Sequence, residues 1–303
     1  MTGVAPTAIL VTGATGFIGR ALVSALRGQD KAVVATTRRP AGSMPEVPGV
    51  EWRTCDLLDP ASLPSALAGI RVAYYLVHSM AGGADQFRQH ERSSAEAFAA
   101  AAAAARVERI VYLGGPAPPR RVSEHLRSRL EVGEILRAGP VPAIELRASM
   151  VIGNGSASWQ IVRDLAMRLP VMVLPRWLRS RTRPVALEDV VDALVAAADL
   201  PIDGSQWFDI PGPEVVSGRQ ILERIAAAGG RRFLAIEVPA LTPRLSSLWL
   251  KLVTRTDFGL ARELVDGLVE DLLPRDERYW ALIGHPGRIG LDEAARRALA
   301  NEP

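Results

Sequence analysis

The chain has 303 residues, 36 basic and 33 acidic side chains, a net charge of +3 and 48% hydrophobic residues, the make-up of a globular protein. No apolar run reaches the ~20 residues of a membrane helix, no basic-then-apolar leader opens the chain, and the single cysteine, Cys55, excludes an internal disulfide framework. A cytoplasmic location is therefore the default expectation. The charges are scattered, without a basic stripe interleaved with aromatics, so nucleic acid is not an expected partner.

In chain order, "AILVT" (8–12) reads as a short strand. "FIGRALVSALRG" (17–28) follows, with apolar residues at a helical period. "KAVVATT" (31–37) and "VEWRT" (50–54) read as strands, and "PASLPSALAG" as a short helix with Asp59 as N-cap and Pro60 at its first position. "RVAYYLV" (71–77) is a fourth strand, and a long helix runs from about Asp85 to Arg106. Its alanine-rich "AEAFAAAAAAA" (95–105) suits close packing on a sheet. "RIVYLGG" (109–115), a helix over 123–139 and "PAIELRA" (142–148) complete the alternation. Such alternation predicts a parallel sheet with helices on both faces.

After about Asn154 the rhythm changes. A helix around 157–168 leads into "LPVMVLPRWLRSRTRP", read as a proline-punctuated basic loop. "ALEDVVDALVAAADL" is a helix, "QWFDIPGPEVVSGRQILERIAAAGG" a strand, turn and helix, and the last stretch is mostly helical. The expected organisation is a nucleotide-binding core over 1–153. Residues 154–303 then complete it and form a smaller substrate lobe, all in one structural unit.

The stretch "ILVTGATGFIGRAL" (9–22) carries the functional signal. Gly13, Gly16 and Gly19 stand between a strand and a helix, where free helix-opening N–H groups bind phosphate. Gly13 suits the sharp turn, Gly16 leaves room for a pyrophosphate, and Gly19 lets the helix approach the sheet. Thr15, Phe17 and Ile18 belong to the same expected contact set. An NAD site carries an acidic residue about 20 residues on, at the end of the second strand. Here "TTRRP" places Arg38 and Arg39 there, and guanidinium groups suit a 2′-phosphate. NADP is therefore the expected cofactor, with NAD as the second choice. The fold class is α/β, a Rossmann-type doubly wound parallel sheet with a smaller C-terminal lobe.

These residues resemble the short-chain dehydrogenase/reductase superfamily. "TGATGFIG" resembles its extended and atypical branches. "CDLLD" (55–59) resembles the segment whose Asp and next residue contact adenine, which implies Asp56 and Leu57. "AYYLVHSM" (73–80) and "RIVYLGG" are similar to the atypical, NmrA-like NAD(P)H-binding subgroup; "HLRSRLEVGEILRA" and "LTPRLSSLWLKLV" are similar to its bacterial members. The resemblance implies an oxidoreductase that reduces a small carbonyl, quinone-like or conjugated acceptor. The alternative is a non-catalytic nucleotide-binding redox sensor.

The superfamily's usual reductases carry a Ser and a Tyr-x-x-x-Lys pair. Here the fifth strand ends in Gly114 and Gly115, and His125 and Arg129 stand at the Tyr and Lys spacing. Either His125 acts as acid or hydrogen-bond donor with Arg129 anchoring a ribose, or both are exposed partners of Glu124 and Glu131. Leu76, Val77 and His78, at the end of the fourth strand, are further expected cofactor contacts, and His78 is also the other catalytic candidate, with Ser79 beside it, because ligands sit beyond the carboxyl ends of such strands. The opposing reading points His78 to water. "PRWLRSRTRP" (175–184) reads as a solvated loop before an anion site. The apolar helical face of 241–256 reads as packing on its own protein before a membrane surface. No residue spacing suggests a metal. A small-molecule substrate is expected; the oligomeric state is open.

Overall fold

The structure, a computed structural model, describes residues 8–78, 84–118, 123–168, 171–232, 234–238 and 270–300. They group into two compact units. The first comprises 1–114, 128–147 and 191–208; the second comprises 115–127, 148–190 and 209–303.

In the first unit a seven-stranded sheet is built from β1 (Ala8–Val11), β2 (Val33–Thr37), β3 (Val50–Thr54), β4 (Ile70–Tyr75), β5 (Arg109–Gly114), β6 (Ala143–Arg147) and β11 (Gln206–Asp209). Its order is β11-β6-β5-β4-β1-β2-β3. Strands β1 to β6 pair in parallel. That is the doubly wound order, with its switch point between β1 and β4. Helices α1 (Phe17–Arg27), α2 (Leu63–Leu67), α3 (Ala84–Ala104) and α4 (Glu124–Ala138) fill the crossovers. Alanines 95, 99 and 102 and Phe98 of α3 are buried in the core with Tyr75, Ile110 and Leu136, so the alanine run lets the helix lie close to the strands. Asp59 caps the short turn before α2 by accepting the Ala61 N–H at 3.1 Å, with Pro60 at its first position.

The helix α6 (Leu187–Ala197) ends in this unit. Arg109 on β5 donates to the carbonyls of Ala197, Ala198 and Ile202, and the Tyr74 hydroxyl donates to Leu194 O at 2.8 Å. The cation satisfies carbonyls that the helix terminus leaves unpaired. Glu145, on β6 and 1% exposed, accepts from Arg137 Nε at 2.8 Å and Arg147 Nε at 2.9 Å. The Arg147 guanidinium also lies 4.3 Å from the centre of the Trp207 ring, a cation–π contact. A Cβ at Gly114 or Gly133 would fall within 2.7 Å of the Glu145 carboxylate, so the two glycines make room for the charge.

The second unit has β7 (Val151–Ile152), α5 (Ala157–Arg168), β8 (Val171–Pro175), β9 (Arg181–Thr182), β10 (Val185–Ala186), β12 (Val216–Ser217), α7 (Gly218–Ala228), β13 (Leu234–Val238), α8 (Arg278–Leu282) and α9 (Leu291–Ala300). Trp159, Leu165, Ile221, Ile225, Leu291 and Ala295 form its core. Ser217 and Gln220 make a reciprocal capping box at the start of α7. The stretch expected as a basic loop departs from that expectation. Residues 171–175 form β8, paired in parallel with β13 63 residues later, a partner that no local pattern reveals. Arg183 is buried, donates to Gly212 O at 2.8 Å and pairs with Glu277, while Arg181 pairs with Asp271 at 2.7 Å. Neither arginine is a free charge in water. Asp189, also buried, accepts from Ile289 N–H at 2.9 Å and meets His285 Nε2 at 3.1 Å, which ties the segment before α9 to the start of α6. Among the described residues no helix is long and apolar enough to cross a membrane. The face expected over 241–256 lies outside the described residues.

Candidate functional site

The carboxyl ends of β1 to β4 open into one cleft of about 410 Å³, a size that suits a small organic ligand. Thr12, just outside the lining, joins two of the strand ends. The Thr12 hydroxyl donates to Tyr74 O at 2.9 Å and accepts from Leu76 N–H at 3.0 Å, joining the ends of β1 and β4. Gly13 then turns at a φ of 64°, with its missing Cβ 2.7 Å from Leu76 O; a side chain is excluded there by strain and by contact. The Gly16 N–H donates to Gly13 O at 2.8 Å and closes the turn.

Gly16 is the N-cap of α1, and no side chain caps that turn. A Cβ at Gly16 would meet only Gly13 O, at 3.1 Å, so little but the turn's own carbonyl crowds that position. At Gly19 a Cβ would fall 2.2 Å from the same oxygen; this glycine serves the packing of the turn. An uncapped helix N-terminus at the rim of a cleft fits the pyrophosphate of a dinucleotide.

The cleft gathers most of the residues expected from the sequence. Gly13, Thr15, Gly16, Arg38, Asp56 and Leu57 line it, as do Leu76, Val77 and His78. Phe17 and Ile18 open α1 behind the turn, and Gly19 is buried within it. Arg39 is exposed and is not part of the lining. Its N–H donates to Thr37 Oγ1 at 3.1 Å and its carbonyl accepts from the Thr54 hydroxyl at 3.2 Å. Asp56 turns one oxygen to the Leu58 N–H at 3.1 Å. Cys55 also lines the cleft, and burial pushes its thiol pKa up, which keeps it in the unreactive form.

At the other end of the lining, His78 Nδ1 lies 3.1 Å from Glu91 Oε2. Glu91 belongs to α3 and is 5% exposed; His90, Glu91 and Ser94 bring one face of that helix to the cleft. Burial holds the His78 pKa below its ordinary value, the hydrogen bond to Glu91 opposes this, and the positive charge of Arg129 adds to the lowering. Arg129 Nη2 donates to Leu113 O at 2.7 Å, and the Tyr112 hydroxyl donates to Arg129 O at 3.0 Å. Burial raises the Tyr112 pKa well above the phenol range, so it stays protonated.

His125 is half-buried and four residues before Arg129 on α4. The expected pairing of Arg129 with Glu131 is not formed. Glu124 pairs with Arg127 at 3.0 Å, and Glu131 pairs with Arg88 and Arg92 of α3. Arg129 instead reaches the end of β5. Ser79 lies outside the described residues.

Sequence reading missed Thr12 and Glu91. For Glu91 a signal existed: Glu91, Ala95, Phe98 and Ala102 recur at the helical ridge spacing and all four are buried. A carboxylate at the head of an apolar ridge marks a buried charge that needs a partner.

Comparison with known proteins decides the family. The sequence model of the NAD(P)H-binding family matches residues 13–168, more than half of the chain. The chain belongs to this family. A ceramide reductase of Caulobacter vibrioides is 30% identical over 85% of this chain and 84% of its own length. A (4-alkanoyl-5-oxo-2,5-dihydrofuran-3-yl)methyl phosphate reductase of Streptomyces griseus is 27% identical over 97% of this chain and 99% of its own. A short-chain dehydrogenase/reductase superfamily protein of Agrobacterium tumefaciens, solved with bound NAD, superposes with a TM-score of 0.71. It is 19% identical, with 97% of this chain and 96% of that one covered. The chain is thus an NAD(P)H-binding protein, related in sequence to reductases, with the fold of a short-chain dehydrogenase/reductase superfamily structure.

Proposed function

We propose that this chain is an NADPH-dependent reductase of a small acceptor bearing a carbonyl, quinone-like or conjugated group. The observation that carries the reading is the place of Arg38. Arg38, and no acidic residue, lines the cleft at the end of β2, in the same cavity as the glycine turn. A carboxylate there would accept both ribose hydroxyls of NAD, whereas a guanidinium grips a 2′-phosphate. The helix-opening amides after Gly16 take the pyrophosphate, Asp56 and Leu57 take the adenine, and Leu76 and Val77 flank the nicotinamide ribose. Bound NADPH supplies the hydride. His78 is the first candidate for the accompanying proton and His125 the second. Arg129 keeps a positive charge beside His78 and favours its neutral ring. Both curated relatives are named as reductases, one for a ceramide and one for an alkanoyl-bearing phosphate; these names support an acceptor that carries an acyl chain.

The test follows loss of NADPH absorbance with a panel of acyl-bearing ketones, enones and quinones, beside measured binding of both nicotinamide nucleotides. Arg38→Ser is expected to weaken NADPH by about tenfold, the lower end for a charge-assisted contact at an exposed site, and to leave NADH binding unchanged. An unchanged NADPH preference in that variant refutes the cofactor assignment. Tight NADPH binding with no acceptor reduced above the blank refutes the enzyme and leaves the sensor.

A further inference from the structure

Glu91 is an expensive residue to bury. It heads the ridge of α3 that continues through Ala95, Phe98 and Ala102 into the core, and a carboxylate withdrawn from water needs a partner. The partner comes from a different element: His78, three residues past β4, whose Nδ1 is 3.1 Å away. Both residues line the nucleotide cleft. The charged groups that act on the ring are Glu91 of α3 and Arg129 of α4; His90 of α3 and Tyr75 of β4 line the same cleft, and the phenols of Tyr75 and Tyr112 lie within electrostatic reach of Glu91.

We propose that Glu91 is a positioning residue: its carboxylate accepts the Nδ1 proton of His78, fixes the ring in the cleft wall, and assigns proton exchange with the ligand to Nε2. The identity of that ligand rests on the reductase reading; the Glu91–His78 pairing does not. A neutral imidazole carries one N–H and one acceptor nitrogen, and the hydrogen bond made by one sets the role of the other. With Nδ1–H on Glu91, the neutral ring offers a lone pair at Nε2, suited to a hydroxyl of substrate or ribose. When an acceptor oxygen gains charge, the proton it takes leaves Nε2 of the imidazolium. The electron pair of that N–H bond stays on the ring nitrogen, and the Nδ1–H bond to Glu91 is kept. Burial and Arg129 hold the ring toward the neutral form, so the imidazolium fraction grows as pH falls below the ordinary histidine range.

The experiment reads the ring nitrogens of the protein's four histidines by NMR without nucleotide, with His78 assigned by loss of its signals in His78→Asn. The expected result for the wild type is the tautomer with the proton on Nδ1. Glu91→Gln keeps the shape and an acceptor but removes the charge, and is expected to lower the His78 titration midpoint by about one unit or more. Glu91→Leu is expected to move the proton to Nε2. A wild-type proton on Nε2, or an unchanged tautomer and midpoint in both folded variants, overturns the proposal. Added NADPH is expected to shift the Nε2 signal; binding without such a shift overturns the assignment of Nε2 to the ligand. Failure of NADPH to bind at all would refute the reductase reading. Glu91's hold on the ring would then be decided by the nucleotide-free titration alone.

Discussion

One methyl group, added at either of two glycines three residues apart, should separate folding from nucleotide binding. At Gly19 the new Cβ would lie 2.2 Å from Gly13 O and 2.8 Å from Ala14 Cα. Both are backbone atoms of the turn, so no side chain can rotate away. Real contacts of this kind stay above 3.0 Å, so 3.0 − 2.2 leaves a displacement of about 0.8 Å to be found. Overpacking on that scale costs about 1–3 kcal/mol. At about 2–4 °C per kcal/mol, Gly19→Ala is expected to melt about 2–12 °C lower. At Gly16 the Cβ would meet only Gly13 O, at 3.1 Å, and the backbone angles of −78° and 176° suit alanine. The cost there is that of alanine in place of glycine at an N-cap, below about 1 kcal/mol. On the proposed site, where the pyrophosphate approaches the Gly16 backbone, an added methyl group crowds it, and a pyrophosphate held about 1.4 kcal/mol less well binds tenfold more weakly. Gly16→Ala should therefore melt within about 4 °C of the wild type and lose at least about tenfold in NADPH affinity. Thermal melts and equilibrium dialysis with NADPH measure both effects. If Gly16→Ala binds NADPH as the wild type does, the phosphate assignment at the helix terminus is wrong. If it loses as much stability as Gly19→Ala, the distinction between the two glycines fails.

Glu145→Leu should cost about 3–5 kcal/mol in urea unfolding, because it leaves the buried Arg147 and its neighbour Arg137 without their shared counter-charge. A cost near zero would show that the two guanidinium groups find water. Thr12→Val removes one hydrogen bond given to Tyr74 O and leaves the Leu76 N–H without its acceptor. It should cost about 1–3 kcal/mol in the same assay and weaken NADPH binding as well. For pH, the folded His78 holds its proton more weakly than the unfolded chain. Its share of stability is therefore complete above the unfolded value of about 6.5 and is lost as pH falls toward the lower folded value. The melting temperature should drop in that window, and His78→Asn should remove part of the drop; an identical pH profile in the variant would contradict the neutral ring.

Local signals carried much of the fold. The strand–turn–helix at residues 9–22, the cap at Asp59 and the periodicity of α1 depend on residues within a few positions of each other, and such order can be read along the chain. The same holds for Gly13 and Arg38, whose places in the cleft lining follow from their distance past β1 and β2. Strand β8 was hidden because the strand paired with it, β13, lies 63 residues away, and a proline-rich segment reads as loop until that pairing is known. Arg183 likewise reads as a solvated cation until Glu277 and Gly212 O are brought to it.

The linear order of residues by itself determined a parallel α/β core, a glycine turn between a strand and a helix, and the absence of an acidic residue at the end of the second strand. Only the tertiary structure decided that Glu91 meets His78, that Arg129 reaches Leu113 O in place of an exposed glutamate, and that Arg38 shares a cleft with the turn while Arg39 does not. The physical reason is the range of the interactions. Backbone torsion and helical periodicity act between near neighbours, whereas a buried charge is stabilised by whichever groups the packed chain brings within hydrogen-bonding distance.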